Sequence, residues 1–373
     1  MLKFEIEKRE GLARVGKIIT PHGEIKTPAF VGAATRATVK ALTFRDMKSL
    51  GSQAILANTY HLFLTPGSEL IKQAGGLAKF SSWDAPTFTD SGGFQIFSLP
   101  DVKITEEGAF FKSYLNGDKF LMTPELSMET QWQIGADIHM AFDQLAKSEN
   151  KNAMSSAMHR THRWLDRCLE KHNELKSLAI KNHEPEQFLY AVVQGGTFLD
   201  LRETSAKYSA KKPVDGFGIG GVFTADGMDE MLKVVNKILP EKKPRHLLGM
   251  GQEPRDLFIG AEFGCDTFDC VGPTRLARNG ALFTPDGRIN IKNSKYKTDF
   301  SPVDSECDCY LCQNFSKSYL HHLFRTDEIT GKILASLHNE YFVVKTVDKI
   351  RETLKNGTFK QYKSDFLSRY YQK

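Results

Sequence analysis

Three thiols in six positions, Cys307-Asp308-Cys309-Tyr310-Leu311-Cys312, make the densest chemical pattern in this 373-residue chain, which has six cysteines in all. Tetrahedral zinc takes thiolates at ~2.3 Å plus a fourth ligand, and the spacing C-x-C-x2-C suits three of those positions. Disulfide bonding would leave one thiol over. His321, His322 and His338 lie downstream as candidates for the fourth position. A closed set of three cysteines and one histidine has no open coordination site, so the ion would serve structure and not catalysis. Cys168, Cys265 and Cys270 stand apart in apolar contexts, the pattern of reduced thiols in a cytosolic protein.

A second pattern places carboxylates and amides at the ends of short apolar runs. The runs read AFVGAA (29–34), AILANTY (54–60), APTFTDSGG (85–93), ADIHMAFD (136–143), FLYAVVQGG (188–196), GFGIGG (216–221), RHLLGMG (245–251) and CDTFDC (265–270). Near-continuous hydrophobic runs of this length read as parallel strands covered on both faces. Helical patterns lie between them, the longest through AMHRTHRWLDRCLEKHNELK. Eight strand–helix alternations predict an α/β fold, the count favouring a (β/α)8 TIM barrel over an open doubly wound sheet that shares the alternation, with a hairpin inserted around Asn116-Gly117 and a C-terminal zinc-binding subdomain. The expected organisation is a catalytic core over residues 1–290, the zinc-binding subdomain over 291–345, and a C-terminal helix over 346–373 packing back on the barrel.

In such a barrel chemistry happens where the strands end at the C-terminal face. Those ends carry Asn58, Asp90, Asp143, Gln194, Gly221 and Asp269. A single aspartate there reads as a helix cap or turn residue; three converging on one mouth read as a site. Gly216, Gly218 and Gly221 also match G-x-G-x-x-G, but they lie within a late strand and not in the first strand–helix turn that a dinucleotide site requires. They are read as letting a ligand approach bare backbone. His159 and His162 share a helix face with no further ligand nearby, which predicts solvent-facing or capping roles.

Composition is that of an ordinary globular protein, 40% hydrophobic and 25% charged. No apolar run reaches the ~18–20 residues of a membrane span, and MLKFEIEKRE carries no signal-like apolar segment. A soluble, cytoplasmic protein with no membrane partner is expected. The net charge of +5 permits a nucleic-acid partner without demanding one.

The stretches TDSGGFQIFSL, FDQ, VVQGG, IGGV, HLLGMG, FDCVGPTRLARNG and CDCYLC followed by a distant histidine resemble the tRNA-guanine transglycosylases of the bacterial queuosine type. The match runs from TPAF to ASLHN, almost the whole chain, with every motif in family order. The family's zinc motif spaces its histidine 25 residues beyond the last cysteine, so the resemblance implies His338 as the ligand beside Cys307, Cys309 and Cys312. It implies Asp269 as nucleophile and Asp90 as general acid and base. Asp143, Gln194 and Gly221 look like the purine-recognition set, with Phe94 and Leu248 on the two faces of the base. The segments Met250, Gly251, Gln252, Glu253, Pro254, Arg255, Asp256 and Thr274, Arg275, Leu276, Ala277, Arg278 look like those that meet the anticodon loop.

The implied reaction exchanges guanine at the wobble position of GUN-anticodon tRNAs for 7-aminomethyl-7-deazaguanine by double displacement, as in retaining glycosidases. Asp269 must be ionised, which Arg275 would favour by opposite charge, and Asp90 must have a raised pKa to protonate the departing base. Arg275 and Arg278 suit either base reading or phosphate pairing. Members commonly form homodimers. The alternatives are salvaged queuine as the incoming base, a non-catalytic tRNA-binding subunit, and, from another class, a barrel hydrolase or oxidoreductase using the glycine motif. The chain departs from the common bacterial pattern at Gln144-Leu145, at Val222-Phe223 with Thr224-Ala225-Asp226, and at Gly272, positions near the 7-substituent that bear on which 7-deazaguanine enters.

Overall fold

The computed structural model describes residues 2–146, 149–221 and 227–372. The chain opens with an antiparallel sheet of three strands, β1 (Lys3–Glu10), β2 (Ala13–Thr20) and β3 (Gly23–Thr27). It then enters the barrel with β4 (Ala29–Ala33), β5 (Ile55–Ala57) and β6 (Thr87–Thr89). A separate antiparallel sheet, β7 (Lys103–Ile104), β8 (Ala109–Lys112) and β9 (Lys119–Met122), interrupts the alternation. The barrel resumes with β10 (Ile138–Met140), β11 (Phe188–Val193), β12 (Gly216–Ile219), β13 (Arg245–Leu247) and β14 (Thr267–Cys270).

The eight parallel strands form a closed barrel in the order β10-β11-β12-β13-β14-β4-β5-β6, sealed where Asp269 of β14 stands beside Val31 of β4. All eight predicted runs are its strands, and the β8–β9 hairpin turns at Asn116-Gly117 as expected. Strand residues are buried throughout because helices cover the outside while Val31, Leu56, Phe88, Ile138, Met140, Tyr190 and Val192 fill the inside. Each such side chain contributes ~1.5–3 kcal/mol by leaving water.

The N-terminal sheet meets the end of the barrel where the strands begin. There Leu2 N–H donates to Asp215 at 3.1 Å, and Arg14 pairs with Asp266 through Nε at 2.8 Å. Asp137 accepts from the Thr87 N–H at 2.8 Å. These bonds stitch one end of the barrel shut and leave the other for a site.

The longest outer helix, Lys151–Lys181, is capped by Asn150 and buries Met158, Trp164, Leu165, Cys168 and Leu169 at helical spacing. His162 of this helix is buried, unlike the solvent-facing role expected: its ring stacks on Tyr208 at 4.1 Å and Nε2 meets Ser205 Oγ at 3.3 Å, while His159 is exposed. Beyond the barrel, a 28-residue helix, Ile329–Asn356, runs without a break across residue 345, and a second, Phe359–Tyr371, follows it after Gly357. Residues 346–356 therefore continue the helix that bears His338. No described helix is long and apolar enough to cross a membrane.

Candidate active site and metal centre

Asp90 follows β6 directly, and three donors hold its carboxyl: Asn58 Nδ2 at 2.6 Å, the Thr59 N–H at 3.1 Å and the Gly92 N–H at 2.9 Å. Asn58 follows β5 and caps the helix Thr59–Leu64 with its other side-chain atom, so the cap and the site share one residue. Burial nonetheless dominates and pushes the Asp90 carboxyl up to about 7; the nearby Asp269 carboxylate adds to the rise. A carboxyl half-protonated near neutrality can both give and take a proton.

Asp269 is the penultimate residue of β14 and is held differently. Its Oδ1 accepts from the Gly249 N–H at 2.9 Å and meets His246 Nε2 at 3.1 Å. Arg275 is exposed, and the hydrogen-bonding partners of Asp269 among the described residues are His246 and Gly249, not the arginine expected to support it.

Asp143, three residues past β10, accepts from Ser91 Oγ at 2.9 Å and from Gln194 Nε2 at 2.6 Å, and burial raises its pKa. Gln194 follows β11. The turn that carries it is clamped by Arg202, fully buried, whose Nη1 donates to Val193 O at 3.0 Å and Nε to Gly196 O at 2.7 Å. Gly221 has φ +68°, and a Cβ there would stand 2.7 Å from Gln194 Oε1. Only glycine lets backbone and amide come so close. Gly216 packs against the Tyr190 ring and Gly218 against Leu248 and Met140. At those two positions the bare backbone admits a neighbouring side chain, a correction to the reading that all three glycines face a ligand.

Phe94 lies in the short helix Gly93–Ile96 at the same mouth, 51% exposed, and Leu248 follows β13. Val222, Phe223, Thr224, Ala225 and Asp226 lie outside the described residues; Leu145 is buried, with Cδ1 3.6 Å from the Cβ position at Gly221. Of the two segments proposed to meet the anticodon loop, the first leads into and begins the helix Pro254–Glu262, and the second lies in the helix Gly272–Arg278. Met250, Gly251, Pro254, Asp256, Thr274 and Ala277 are buried within them, so Gln252, Glu253, Arg255, Arg275, Leu276 and Arg278 supply the accessible surface. Burial and the charge of Arg275 both lower the Arg278 pKa.

The arrangement therefore sets two carboxylates with different surroundings in one mouth, beside a third carboxylate and an amide that can hold the edge of a planar base. Sequence reasoning missed Ser91, Arg202 and His246. Ser91 and His246 stood inside quoted motifs without being singled out, and Arg202 lay outside them; the partners of His246 and Arg202 come from other strands and turns.

The thiols converge as their spacing predicts. Sγ of Cys309 and Cys312 lie 3.4 Å from His338 Nδ1 and that of Cys307 lies 3.8 Å away, with all four ligand atoms within 4.8 Å of one another. Ligands at ~2.0–2.3 Å from one tetrahedral ion stand about this far apart. His338 Nε2 faces Phe283 O at 2.7 Å, which puts the ring proton on Nε2 and leaves the Nδ1 lone pair to the ion. The set fits a metal ion. His321 is committed to Ile291 O at 2.8 Å. Next to His338, Asn339 bonds Phe283, Pro273 and Ala281, so the metal centre is tied to the helix that follows Asp269.

A family profile described as queuine tRNA-ribosyltransferase matches residues 9–372. The chain is 44% identical to the queuine tRNA-ribosyltransferase of Desulforamulus reducens, covering 98% of each, and 46% identical to that of Herpetosiphon aurantiacus, covering 98% of this chain and 92% of the relative. It is 42% identical to that of Bacillus subtilis over 99% of this chain and 95% of the relative. With the barrel, the paired carboxylates and the Cys3His centre in place, the chain belongs to the queuine tRNA-ribosyltransferase family, the pentosyl-transferring enzymes also called tRNA-guanine transglycosylases.

Proposed function

We propose that this enzyme exchanges the wobble guanine of GUN-anticodon tRNAs for 7-aminomethyl-7-deazaguanine, with Asp269 as nucleophile and Asp90 as general acid and base. The observation that carries the reading is the pair of carboxyls in one mouth, Asp90 lifted to about 7 by burial and Asp269 close enough to add to that lift. A carboxylate oxygen of Asp269 bonds C1′ of the ribose as the C1′–N9 bond breaks; the electron pair goes to N9, which takes the proton of Asp90. In the second half the incoming base gives its N9 proton back to Asp90, attacks C1′ and displaces Asp269. The strand of RNA is never cut.

Asp143 and Gln194 receive the purine edge, Phe94 and Leu248 its faces, and the Gly221 N–H its carbonyl. The flipped nucleotide costs a few kcal/mol to unstack, and stacking on Phe94 recovers ~1–3 kcal/mol. Arg275 and Arg278 serve the anticodon loop. Cys307, Cys309, Cys312 and His338 hold a structural zinc; no step of the reaction passes through it. A cytoplasmic homodimer completes the reading, in line with the resemblance. The choice of 7-aminomethyl-7-deazaguanine over queuine is tested by competition between the two free bases, a preference for queuine overturning it.

The deciding experiment traps the ribosyl-protein adduct on an anticodon stem-loop. The parent enzyme should give the adduct, and Asp269→Asn should give neither adduct nor base exchange while keeping its melting temperature. Undiminished exchange by the asparagine variant would end the proposal.

A further inference from the structure

His246 is completely buried in the barrel and takes part in none of the steps above. Its place follows from register. β13 and β14 are parallel neighbours with His246 beside Thr267, and Asp269, two residues on, projects from the same face of β14 as Thr267. The imidazole spans both: Nδ1 lies 2.8 Å from Thr267 Oγ1 and Nε2 lies 3.1 Å from Asp269 Oδ1. Across the barrel interior the ring stacks on Phe88 of β6, centroids 5.4 Å apart and planes 29° apart, which fixes its plane.

The order Thr–His–Asp resembles a nucleophilic triad, but the chemistry runs the other way. Thr267 is fully buried at the start of β14, two residues further from the mouth than Asp269, where no substrate reaches its hydroxyl. As an attacking group Asp269 is a carboxylate and only accepts hydrogen bonds, so Nε2 carries the ring proton and Nδ1 accepts from the Thr267 hydroxyl. The Gly249 N–H donates to the same oxygen, Oδ1, at 2.9 Å. Both donors thus occupy Oδ1, and Oδ2 has no hydrogen-bond partner among the described residues.

We infer that His246 is a positioning residue that, with the Gly249 N–H, anchors Oδ1 of Asp269 and leaves Oδ2 as the oxygen that bonds C1′. Thr267 sets the tautomer that makes this work. The inference rests on the proposed role of Asp269. It concerns how the nucleophile is aimed: a carboxylate free to rotate about its Cα–Cβ and Cβ–Cγ bonds spends little time in line with the C1′–N9 bond, and misplacement of a reacting group by about 1 Å costs ~10²-fold.

The test is single-turnover adduct formation by the full-length protein with a GUN anticodon stem-loop. His246→Phe keeps the ring on Phe88 but removes the donor, and His246→Gln offers an amide N–H where Nε2 stood. The expected result is adduct formation slowed ~10²-fold in His246→Phe, with the KM for RNA and for free base unchanged, most of the rate recovered in His246→Gln, and a smaller loss in Thr267→Val. Adduct formation by His246→Phe at the parental rate overturns the inference and leaves the proposed function standing. Equal slowing in both His246 variants, with matching falls in melting temperature, makes the residue a packing element and also overturns it. Absence of any adduct in the parent enzyme defeats the underlying reading itself, whatever the variants do.

Discussion

At one end of the barrel Asp137, Asp215 and Asp266 each precede a strand, while at the other Asp90 and Asp143 follow one and Asp269 stands next to last in its own. All six are largely buried or buried at the carboxyl, yet their partners differ in kind. Asp215 accepts from the backbone of Leu2 and Leu189, and Asp266 takes Arg14 on both oxygens and the Arg245 N–H on one. Asp137 binds Thr87 and, at 2.8 Å, His22. Each of these carboxylates joins two segments and keeps no oxygen spare. At the mouth no cation hydrogen-bonds Asp90 or Asp143 among the described residues, burial raises both, and Asp269 keeps one oxygen unoccupied. The difference shows that burial alone does not distinguish the two ends: Asp215 lacks a cation too, and of the six only Asp269 keeps an oxygen with no partner among the described residues.

The sharpest way to break the contrast is to remove one member from each end of β14. Asp269→Asn should lower base exchange by ~10⁴-fold or more with little change in melting temperature. Asp90→Asn should cost ~10²–10⁴-fold, and the pH profile gives the sign. Base departure needs Asp90 protonated, as it is below about 7, so adduct formation should fall about tenfold per pH unit above that value and lose this limb in the variant. Asp266→Asn should do the reverse: about 3–5 kcal/mol of stability lost in denaturant titration, because Arg14 is left buried and unpaired, with the folded fraction still active. If Asp266→Asn instead spared stability and lost activity, the distinction between the two ends would fail.

Two smaller tests sharpen it outside the barrel interior. Cys309→Ser should carry less zinc than the parent protein by elemental analysis and destabilise the C-terminal segment, shown by early proteolysis within residues 291–345, before it affects the barrel. Arg275→Ala and Arg278→Ala should each raise the KM for RNA and reduce the salt dependence of binding by about 0.7–0.9 of a charge if the side chain pairs a phosphate. An unchanged salt slope with altered anticodon preference would assign base reading instead.

How much of this was legible beforehand depends on whether a signal is local. The metal set was readable in part because three of its ligands lie within six residues; spacing left His321, His322 and His338 open, and the resemblance selected among them. All eight strands were readable because a strand buried on both faces is apolar throughout. The run CDTFDC holds the limit of that reading. Asp266 and Asp269 stand three residues apart in it, both beside apolar residues, and only their place at the start or the end of the run, not their immediate neighbours, tells one from the other. A strand rises ~3.3 Å per residue, so those three residues separate the closed end from the mouth. Likewise, six of the twelve residues assigned to the anticodon loop turn out to be buried, because a motif marks a segment and not which of its side chains face out.

By itself the sequence determined which segments become strands, which end of each is polar, and that three thiols share a ligand set, since hydrophobic runs and short spacings act between near neighbours along the chain. Only the tertiary structure decided that His246 would stand beside Asp269, that Arg202 would clamp the turn carrying Gln194, and that burial would outweigh three hydrogen bonds at Asp90. Those outcomes depend on register between strands and on how far water is excluded, and both arise only when distant segments close around one another.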